Sequence, residues 1–379
     1  MRRLAWLMVA MAVGAAACED QQVAAPSAVT PLPYQSPAPP APAGDPLRFS
    51  SIQRLDATTG FVASWNGTSG PRLARTVDAG ASWQPLAVPL ETVTTVRFID
   101  ARVGWVAGLG NGARSAALLH TVDGGATWQR ALDVAAAPGG YPPLALQAVD
   151  GLVAWALVLP CDGCVGDLGR TTDGGLHWSW LASGHITTMR FATATRGWIA
   201  VSDAYPNVSI RVTSDGGKTW NTRANFTSGA MVGLDAANAL TAWALIRDGA
   251  YCTASICTRY DLERTVDGGL TWQSLGNPKP ATGDCGGGAL YGPLFATPGR
   301  GWLAENTGAG GVRSTTGLLR SVDGGATWRC QSAPAQSGAV SAADPMHIWV
   351  ATGFGCCAAA VLYSSDDGGQ TWRALDPGR

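Results

Sequence analysis

TVDGGATW (residues 121–128) occurs in seven versions along this 379-residue chain, and these copies decide the fold. The other six are TVDAGASW (76–83), TTDGGLHW (171–178), TSDGGKTW (213–220), TVDGGLTW (265–272), SVDGGATW (321–328) and SDDGGQTW (365–372). Their aspartates are Asp78, Asp123, Asp173, Asp215, Asp267, Asp323 and Asp367, spaced 42 to 56 residues apart. A repeat of this length indicates an array in which each unit buries its apolar face against its neighbours.

Each octapeptide has the chemistry of a tight turn between two strands. The Asp side chain is expected to accept hydrogen bonds from backbone N–H groups one to three residues further on. The second glycine suits a backbone with positive φ. Ala79 replaces the first glycine in the first copy, so the second glycine is predicted to be the one that the turn requires. The closing Trp supplies a large apolar surface for packing between layers.

A second signal lies 22 to 29 residues before each closing Trp: an aromatic residue with small or β-branched neighbours. It reads GFVA (60–63), GWVA (104–107), AWAL (154–157), GWIA (197–200), AWAL (242–245), GWLA (301–304) and IWVA (348–351). In the second repeat we therefore predict strands A (TVRFID), B (GWVAG), C (ALLHT) and D (TWQRAL), with the Asp turn between C and D. The sequence predicts an all-β fold, a single seven-bladed β-propeller of four-stranded antiparallel blades.

The octapeptide resembles the Asp box, or bacterial neuraminidase repeat, S/T-x-D-x-G-x-T-W. The accompanying F-x-D…G-W-x-V element looks like the propellers of photosystem II stability/assembly factors and, more loosely, those of the sortilin type. The resemblance covers roughly residues 47–376. It implies a propeller that docks on another protein, although one fold hosts many activities.

Composition agrees with a single folded domain over residues 47–379. Hydrophobic residues make up 46% of the chain, which supports a well-buried protein, and the formal net charge is −1. Nothing in this charge balance favours a nucleic-acid partner. The four histidines have no ligand spacing, so no metal site and no cofactor are predicted.

The N-terminus has the features of an export signal. Residues 1–17 are predicted to be a signal peptide, with Arg2 and Arg3 before an apolar run that is short for a membrane span. The run ends in Ala-Ala-Ala-Cys, which resembles a bacterial lipobox, so Cys18 is predicted to carry a lipid. Residues 18–46 would then hold the lipid-attachment Cys and a Pro/Ala-rich tether. The alternative is a soluble, secreted or periplasmic protein with an ordinary signal peptide.

The remaining eight cysteines fit an oxidising compartment. They are Cys161, Cys164, Cys252, Cys257, Cys285, Cys330, Cys356 and Cys357. Close spacing favours local bridges 161–164 and 252–257. The last four allow two arrangements: a vicinal 356–357 bridge with 285–330, or pairing of 285 and 330 with 356 and 357.

The long, irregular B–C and D–A loops are predicted to form the binding face, because binding residues concentrate on loops of a rigid scaffold. The candidate carboxylates there are Asp162, Asp167, Asp248 and Glu305. Arg54, Arg97 and Arg190 are predicted on strand A, where they would line or flank the central channel. The alternative is that these arginines pair with carboxylates such as Asp100 between blades.

Two classes of function remain open from the sequence. The favoured one is a noncatalytic binding or scaffold propeller, with an exported or membrane protein as partner. The alternative is a glycoside hydrolase, sialidase-like or other exo-glycosidase, or a glycan-binding surface protein. Tyr260 with Glu263 is the nearest match to a sialidase nucleophile pair, and no R-I-P element precedes it. No catalytic residue is therefore predicted.

Overall fold

The computed structural model describes residues 49–64, 73–110, 115–135, 144–158, 166–204, 207–227, 229–248, 259–279, 289–306, 317–333, 337–352 and 360–377. These residues form seven four-stranded antiparallel sheets, and the strands within each sheet follow chain order. The predicted seven-bladed propeller is confirmed. Within these ranges no helix is long and apolar enough to cross a membrane.

The first four blades have these strand bounds. Blade 1 contains β1 (Phe49–Arg54), β2 (Gly60–Ser64), β3 (Leu73–Thr76) and β4 (Gln84–Pro85). Blade 2 contains β5 (Thr92–Phe98), β6 (Gly104–Leu109), β7 (Ser115–Thr121) and β8 (Gln129–Ala135). Blade 3 contains β9 (Leu144–Ala148), β10 (Ala154–Val158), β11 (Gly166–Thr171) and β12 (Ser179–Gly184). Blade 4 contains β13 (Ile186–Phe191), β14 (Gly197–Ala204), β15 (Asn207–Thr213) and β16 (Asn221–Phe226).

The last three blades follow the same order. Blade 5 contains β17 (Gly229–Ala236), β18 (Ala242–Asp248), β19 (Tyr260–Thr265) and β20 (Gln273–Ser274). Blade 6 contains β21 (Ala289–Thr297), β22 (Arg300–Asn306), β23 (Gly317–Ser321) and β24 (Arg329–Ser332). Blade 7 contains β25 (Ser337–Ala342), β26 (Ile348–Thr352), β27 (Leu362–Ser365) and β28 (Arg373–Leu375).

The core is divided among the seams between blades. Seven clusters of buried apolar side chains each join two neighbouring blades, including blades 7 and 1. The B strands lie between two such clusters, so their sequences are apolar throughout instead of alternating. Their tryptophans, from Trp105 to Trp349, are 0–1% exposed and are the largest buried side chains. Burying these strands on both faces removes apolar surface from water and so stabilises the ring.

The A strands surround the axis of the ring. Each A strand contacts the A strand of both neighbouring blades, and β25 of blade 7 contacts β1 of blade 1. The ring is therefore closed. Each blade is formed by one continuous stretch of chain, with β1 serving as strand A of blade 1. Among the residues that the structure describes, the seam between blades 7 and 1 is thus held by side-chain and backbone contacts without an exchanged strand.

The Asp boxes form the predicted C–D turns, but with a different hydrogen-bond pattern. Asp123 Oδ1 accepts from the N–H of Thr127, four residues on, at 2.9 Å, and Oδ2 accepts from the Thr127 hydroxyl at 2.6 Å. The Thr121 hydroxyl donates to Asp123 and accepts from the Gly125 N–H at 2.9 Å. The expected bond from an N–H up to three residues on occurs in the last box, where Gln370 donates to Asp367 Oδ1 at 2.8 Å. The main partner of the carboxylate is one residue further, because the carboxylate closes onto the residue that re-enters the strand.

Positive φ occurs at both central positions of each box. The second glycine has φ values between 88° and 99° in the seven boxes, as predicted, and Ala79 has a φ of 61° at the first position. Ala79 is the one non-glycine residue with positive φ within the described ranges. Because the left-handed region costs energy for residues with a Cβ, this turn carries local strain.

The two ends of the propeller differ. The A–B turn packs on the Asp box of the same blade, as where the Gly124 N–H donates to the Arg102 carbonyl at 2.7 Å. We call this end, with residues 55–59, 99–103, 149–153, 192–196, 237–241, 298–299 and 343–347 and the Asp-box turns, the turn end. The opposite end, where B–C and D–A connections lie, is the loop end.

Candidate binding site in the central channel

Strand register aligns one channel position across all seven blades. It is the strand A residue that pairs with the aromatic residue of strand B, which is Phe61 in blade 1 and a tryptophan in the other six blades. The seven residues are Gln53, Arg97, Gln147, Arg190, Asp235, Leu294 and Ser341. The position lies near the C-terminal end of strand A, so it is close to the turn end of the channel.

In the odd-numbered blades this position ties one blade to the next. The Gln53 amide accepts from the Phe98 N–H at 2.6 Å and donates to the Phe98 carbonyl at 2.8 Å. Gln147 makes the same pair of bonds to Phe191. Asp235 accepts from the Phe295 N–H, and Ser341 from the Arg54 N–H. These side chains satisfy backbone groups that would otherwise be buried without partners.

The even-numbered blades carry Arg97, Arg190 and Leu294 at this position, and no such bond is formed there. Arg190 reaches across to blade 5, where its Nε lies 2.8 Å from Asp235 Oδ1. The Nε–H does not point at that oxygen, so the contact is an ion pair without a directed hydrogen bond. Burial raises the pKa of Asp235, and the nearby Arg190 charge opposes that rise.

Arg97 is the second arginine at this channel position, and unlike Arg190 it has no ion-pair partner among the described residues. Within the described part of the chain, its guanidinium makes no hydrogen bond and no ion pair, although Arg190 and Asp235 are near enough to affect its charge. Desolvation by the channel wall and repulsion by Arg190 lower its pKa to about 10, and Asp235 partly offsets this. Its side chain lines the channel cavity and is exposed to water. It remains charged at neutral pH.

The arginines open into a cavity of about 300 Å³. Gln53, Gln147, Arg97 and Arg190 supply its polar lining, and Phe98, Val149 and Ala237 are among its apolar lining residues. No carboxylate belongs to the described lining. A guanidinium binds carboxylate or phosphate oxygens with two parallel hydrogen bonds. The arrangement is therefore suited to an anionic group entering from the turn end.

Arg54, the third arginine predicted on the channel, does not lie there. It pairs with Gly60, as Phe98 pairs with Gly104, so it occupies the core position next to the channel position. A shift of one residue turns a strand side chain to the other face. Arg54 is 2% exposed and donates to Ser364 Oγ and the Ser365 carbonyl of blade 7, both at 2.8 Å. The prediction of a channel role for Arg54 is wrong.

Arg54 and Arg190 each form an ion pair with a carboxylate of a neighbouring blade, which was the alternative role predicted for these arginines. Arg54 Nη2 contacts Asp366 Oδ1 of blade 7 at 2.5 Å. Asp100, the carboxylate suggested for such pairing, accepts from the N–H groups of Arg102 and Val103 within its own turn. The register that separates these arginines is not visible in the sequence, because Arg precedes an apolar residue at all three places.

The candidate carboxylates of the loop end are dispersed. Asp167 lies in β11, exposed, and accepts from the Ser183 hydroxyl at 2.7 Å. Asp248 is the half-buried last residue of β18. Glu305 lies inside β22 and is 0% exposed, so its predicted position in an exposed loop is wrong. Strand B of blade 6 continues through this residue, which pairs with Leu290. Asp162 lies outside the described residues.

Most of the cysteine predictions also fall outside the described residues. These are Cys18, Cys161, Cys164, Cys252, Cys257, Cys285, Cys356 and Cys357. Cys330 lies in β24 and is disulfide-bonded. The pairing scheme stays a prediction.

The sialidase-like pair suggested by Tyr260 and Glu263 is not formed. The two residues are three positions apart on β19, so their side chains leave opposite faces of the sheet. Tyr260 packs in the seam with blade 6, where its hydroxyl accepts from the Leu290 N–H at 3.0 Å. Burial raises the pKa of Glu263 to about 7, with a smaller contribution from Asp261.

Comparison with known proteins identifies the fold and leaves the family open. No protein-family model matches the chain, and no curated protein sequence matches it. The structure of YCF48 bound to D1 peptide is similar, with a TM-score of 0.55 and 18% identity, over 85% of this chain and 95% of that one. The GH74 xyloglucanase from Xanthomonas campestris is similar with a TM-score of 0.62 and 19% identity, over 91% of this chain and 56% of that one.

A third similar structure is also a propeller. The propeller domain of the trilobed protease from Pyrococcus furiosus, which has an open velcro topology, is similar with a TM-score of 0.57 and 8% identity. The match covers 88% of this chain and 99% of that one. At such identities the likenesses show a propeller fold, since unrelated activities share it.

Proposed function

We propose that this protein is a noncatalytic binding propeller that docks on an exported or membrane protein through its channel. In this proposal the cavity beside Arg97 receives an anionic group of the partner polypeptide. The observation that carries the proposal is the Arg97 guanidinium, which lines the cavity, is charged and has no hydrogen-bonding partner in the described structure. Arg190 adds positive potential, although Asp235 neutralises part of it.

The partner class has support from one similar structure, in which YCF48 is bound to a peptide of D1. A ring-shaped scaffold of uniform blades with a polar channel suits a role in holding another chain. We extend the same role to this protein as an assembly or scaffold factor of the cell envelope.

Glycoside hydrolysis is the weaker candidate. Its mechanism needs two carboxyl groups on either side of a sugar bond. The described lining of the cavity has arginine and glutamine side chains and no carboxylate. The likeness to a GH74 xyloglucanase concerns the fold. Incubation with sialosides and xyloglucan oligosaccharides should give no products.

The experiment that tests the proposal is a crosslinking pull-down from intact membranes with wild-type protein, Arg97→Gln and Arg223→Gln. Arg97→Gln should remove a polypeptide that the wild type enriches, by about tenfold or more, because one charged hydrogen-bond donor pair is lost. Arg223, exposed on the outer strand β16 of blade 4, is the matched control and should leave the enrichment unchanged. Equal enrichment by Arg97→Gln and wild type would contradict the proposal.

We also propose attachment to the cell envelope through a lipid on Cys18, on the basis of the sequence pattern. Replacement by Ser should release the protein into the soluble fraction and abolish labelling with palmitate. If the Cys18→Ser protein stays with the membrane, the lipid-attachment proposal is wrong, and the protein has an ordinary signal peptide and is held at the membrane by another protein.

A further inference from the structure

Trp180, on the outer strand β12 of blade 3, has an exposed aromatic side chain. It is 53% exposed, and within the described ranges it is the one Phe, Tyr or Trp side chain exposed to that extent. The other tryptophans of these ranges are buried or half-buried. A single exposed apolar side chain is ordinary on a protein surface. What distinguishes Trp180 is the way in which blade 3 is built around it.

Blade 3 departs from the repeat at this position, because Trp180 pairs with a glycine of strand C, Gly169. In the other blades, the strand C residues two positions before the Asp box are Ala74, Leu119, Arg211, Glu263, Leu319 and Tyr363. Their partners on strand D are Pro85, Arg130, Thr222, Ser274, Cys330 and Ala374. None of these partners is aromatic, so the propeller does not require an aromatic ring on its outer strand. The exposed ring is a feature of blade 3 alone among the described blades.

Gly169 lets the Trp180 ring lie over the backbone of strand C. A Cβ at residue 169 would lie 2.9 Å from Cζ3 and 3.1 Å from Cε3 of Trp180. It would also lie 3.2 Å from Cε3 of Trp178, whose indole N–H donates to the Ala131 carbonyl of blade 2 at 2.8 Å. The Trp180 ring is therefore supported from the protein side, and its exposed area faces solvent.

A polar pair lies beside the ring. Asp167 is two residues before Gly169 on β11, so both residues share one face of the sheet at a Cα separation of about 6.6 Å. Asp167 is exposed, and its Oδ1 accepts from the hydroxyl of Ser183, its partner on β12, at 2.7 Å. Within the described part of the chain its Oδ2 makes no hydrogen bond. This face of blade 3 thus combines an open aromatic surface with a carboxylate that can accept from further donors.

We propose that Trp180 and Asp167 form a binding site for a carbohydrate whose pyranose rings carry equatorial substituents. Such a ring presents a flat face of C–H groups, whose hydrogens are attracted to the negative face of the indole ring. The edge of the sugar carries hydroxyl groups, which donate to the Asp167 carboxylate.

The carboxylate argues against a Pro-rich polypeptide as the occupant. Proline has no N–H, so Asp167 would lose water without gaining a donor. The site lies on the outer strands of blade 3, whereas the channel is lined by the A strands, so it is separate from the proposed docking through the channel. Glycoside hydrolysis requires two carboxyl groups, and the described residues of this site supply one. The site therefore binds a glycan without cleaving it.

The test is isothermal titration calorimetry of the purified protein with two probes, cellohexaose and chitohexaose. The wild type should bind at least one of them with a dissociation constant of about 1 mM or lower. Trp180→Ala should weaken this binding about tenfold or more because the ring face is lost, and Trp180→Phe should weaken it less because a ring remains. Asp167→Ala should weaken it about threefold or more because a hydrogen-bond acceptor is lost. Leu176→Ala is the matched control, because Leu176 is 63% exposed on the Asp-box turn of the same blade, and it should bind as the wild type does.

Loss of folding and failure of the channel proposal are distinguishable from failure of this one. Asp167 and Leu176 are exposed, so the thermal midpoints of their variants should equal that of the wild type. Arg97→Gln should bind the glycan as the wild type does, whether or not it keeps its polypeptide partner. Four results would each overturn the inference: no binding of either glycan, equal binding by Trp180→Ala and wild type, loss of glycan binding in Arg97→Gln, or tighter binding of a hexaproline or hexa-arginine peptide than of either glycan.

Discussion

Arg54→Ala should destabilise the seam between blades 7 and 1, the one seam that no peptide link crosses. Arg54 donates to Ser364 Oγ, to the Ser365 carbonyl and, at 3.4 Å, to the Ile348 carbonyl, all in blade 7. Its own N–H donates to Ser341 of the same blade. The guanidinium also lies 5.9 Å from the centre of the Trp349 ring. Arg54 thus bonds to three strands across the seam, to β26 and β27 through its side chain and to β25 through its N–H.

The expected loss of stability can be worked out from the hydrogen-bond acceptors that Arg54→Ala leaves without a donor. Losing the donor leaves Ser364, 2% exposed, and two carbonyls without their partner, at about 1 kcal/mol for each lost bond. The contact with Asp366 adds less than about 1 kcal/mol, because the Asp366 side chain is 55% exposed and solvent screens it. We therefore expect the free energy of unfolding to fall by about 3 kcal/mol.

Urea unfolding monitored by circular dichroism and by Trp fluorescence measures this change. Asp366→Asn is one control and should cost less than about 1 kcal/mol. Arg75→Ala is the second, because Arg75 stacks on Phe61 at 5.9 Å beside a seam that the chain does cross. Arg54→Ala should also broaden the transition, since an opened ring loses cooperativity. A loss below about 1 kcal/mol for Arg54→Ala would refute the closing role.

Three further predictions follow from the turns and the buried carboxyl. As the pH falls from 3.8 to about 2, the box aspartates should lose their contribution to stability, because their pKa is lower in the folded state than in the unfolded state. In acid unfolding, Asp123→Asn should show a weaker pH dependence than the wild type in this range, and an equal pH dependence would contradict the turn bonds as its cause. The pKa of buried Glu263 is raised, so its ionisation destabilises the folded protein increasingly from pH 4.5 to about 7. Glu263→Gln should therefore have a higher melting temperature than the wild type at pH 8 and the same one at pH 4, and equal melting temperatures at pH 8 would contradict the raised pKa. Ala79→Gly should stabilise by about 0.5 kcal/mol in urea unfolding by relieving positive φ, whereas Gly124→Ala should destabilise because its Cβ would lie 2.9 Å from the Ala101 carbonyl oxygen; the opposite signs would refute the strain argument.

The architecture was predictable because each repeat carries two independent signals. The Asp box determines a turn, and the aromatic residue upstream determines a strand buried on both faces, as Trp105 in β6 shows. Seven pairs of such signals define seven blades without any knowledge of the contacts between them. The sequence argument missed the bonds that the box carboxylate accepts from the residue four positions on, as Asp123 does from Thr127.

The channel site was less predictable from the sequence, because strand pairing within each blade decides which side chain faces the channel and which faces the neighbouring blade. Arg54, Arg97 and Arg190 look alike in sequence, yet Gln53 and not Arg54 shares the channel position. The bonds of Gln53 and Gln147 to the next blade leave no local signal, since their partners are backbone groups about 45 residues away. Glu305 likewise has no sequence feature that distinguishes a buried strand end from the start of a loop.

Site-specific crosslinking can identify which end of the propeller contacts the partner. A photo-crosslinking amino acid placed at Ile99, beside the channel cavity, or at Asp167, at the loop end, reports contacts within a few ångström of each position. In intact membranes, we expect the Ile99 probe to capture a polypeptide that Arg97→Gln no longer yields, while the Asp167 probe does not capture it. Capture of that polypeptide from Asp167 and not from Ile99 would show that docking through the channel is wrong.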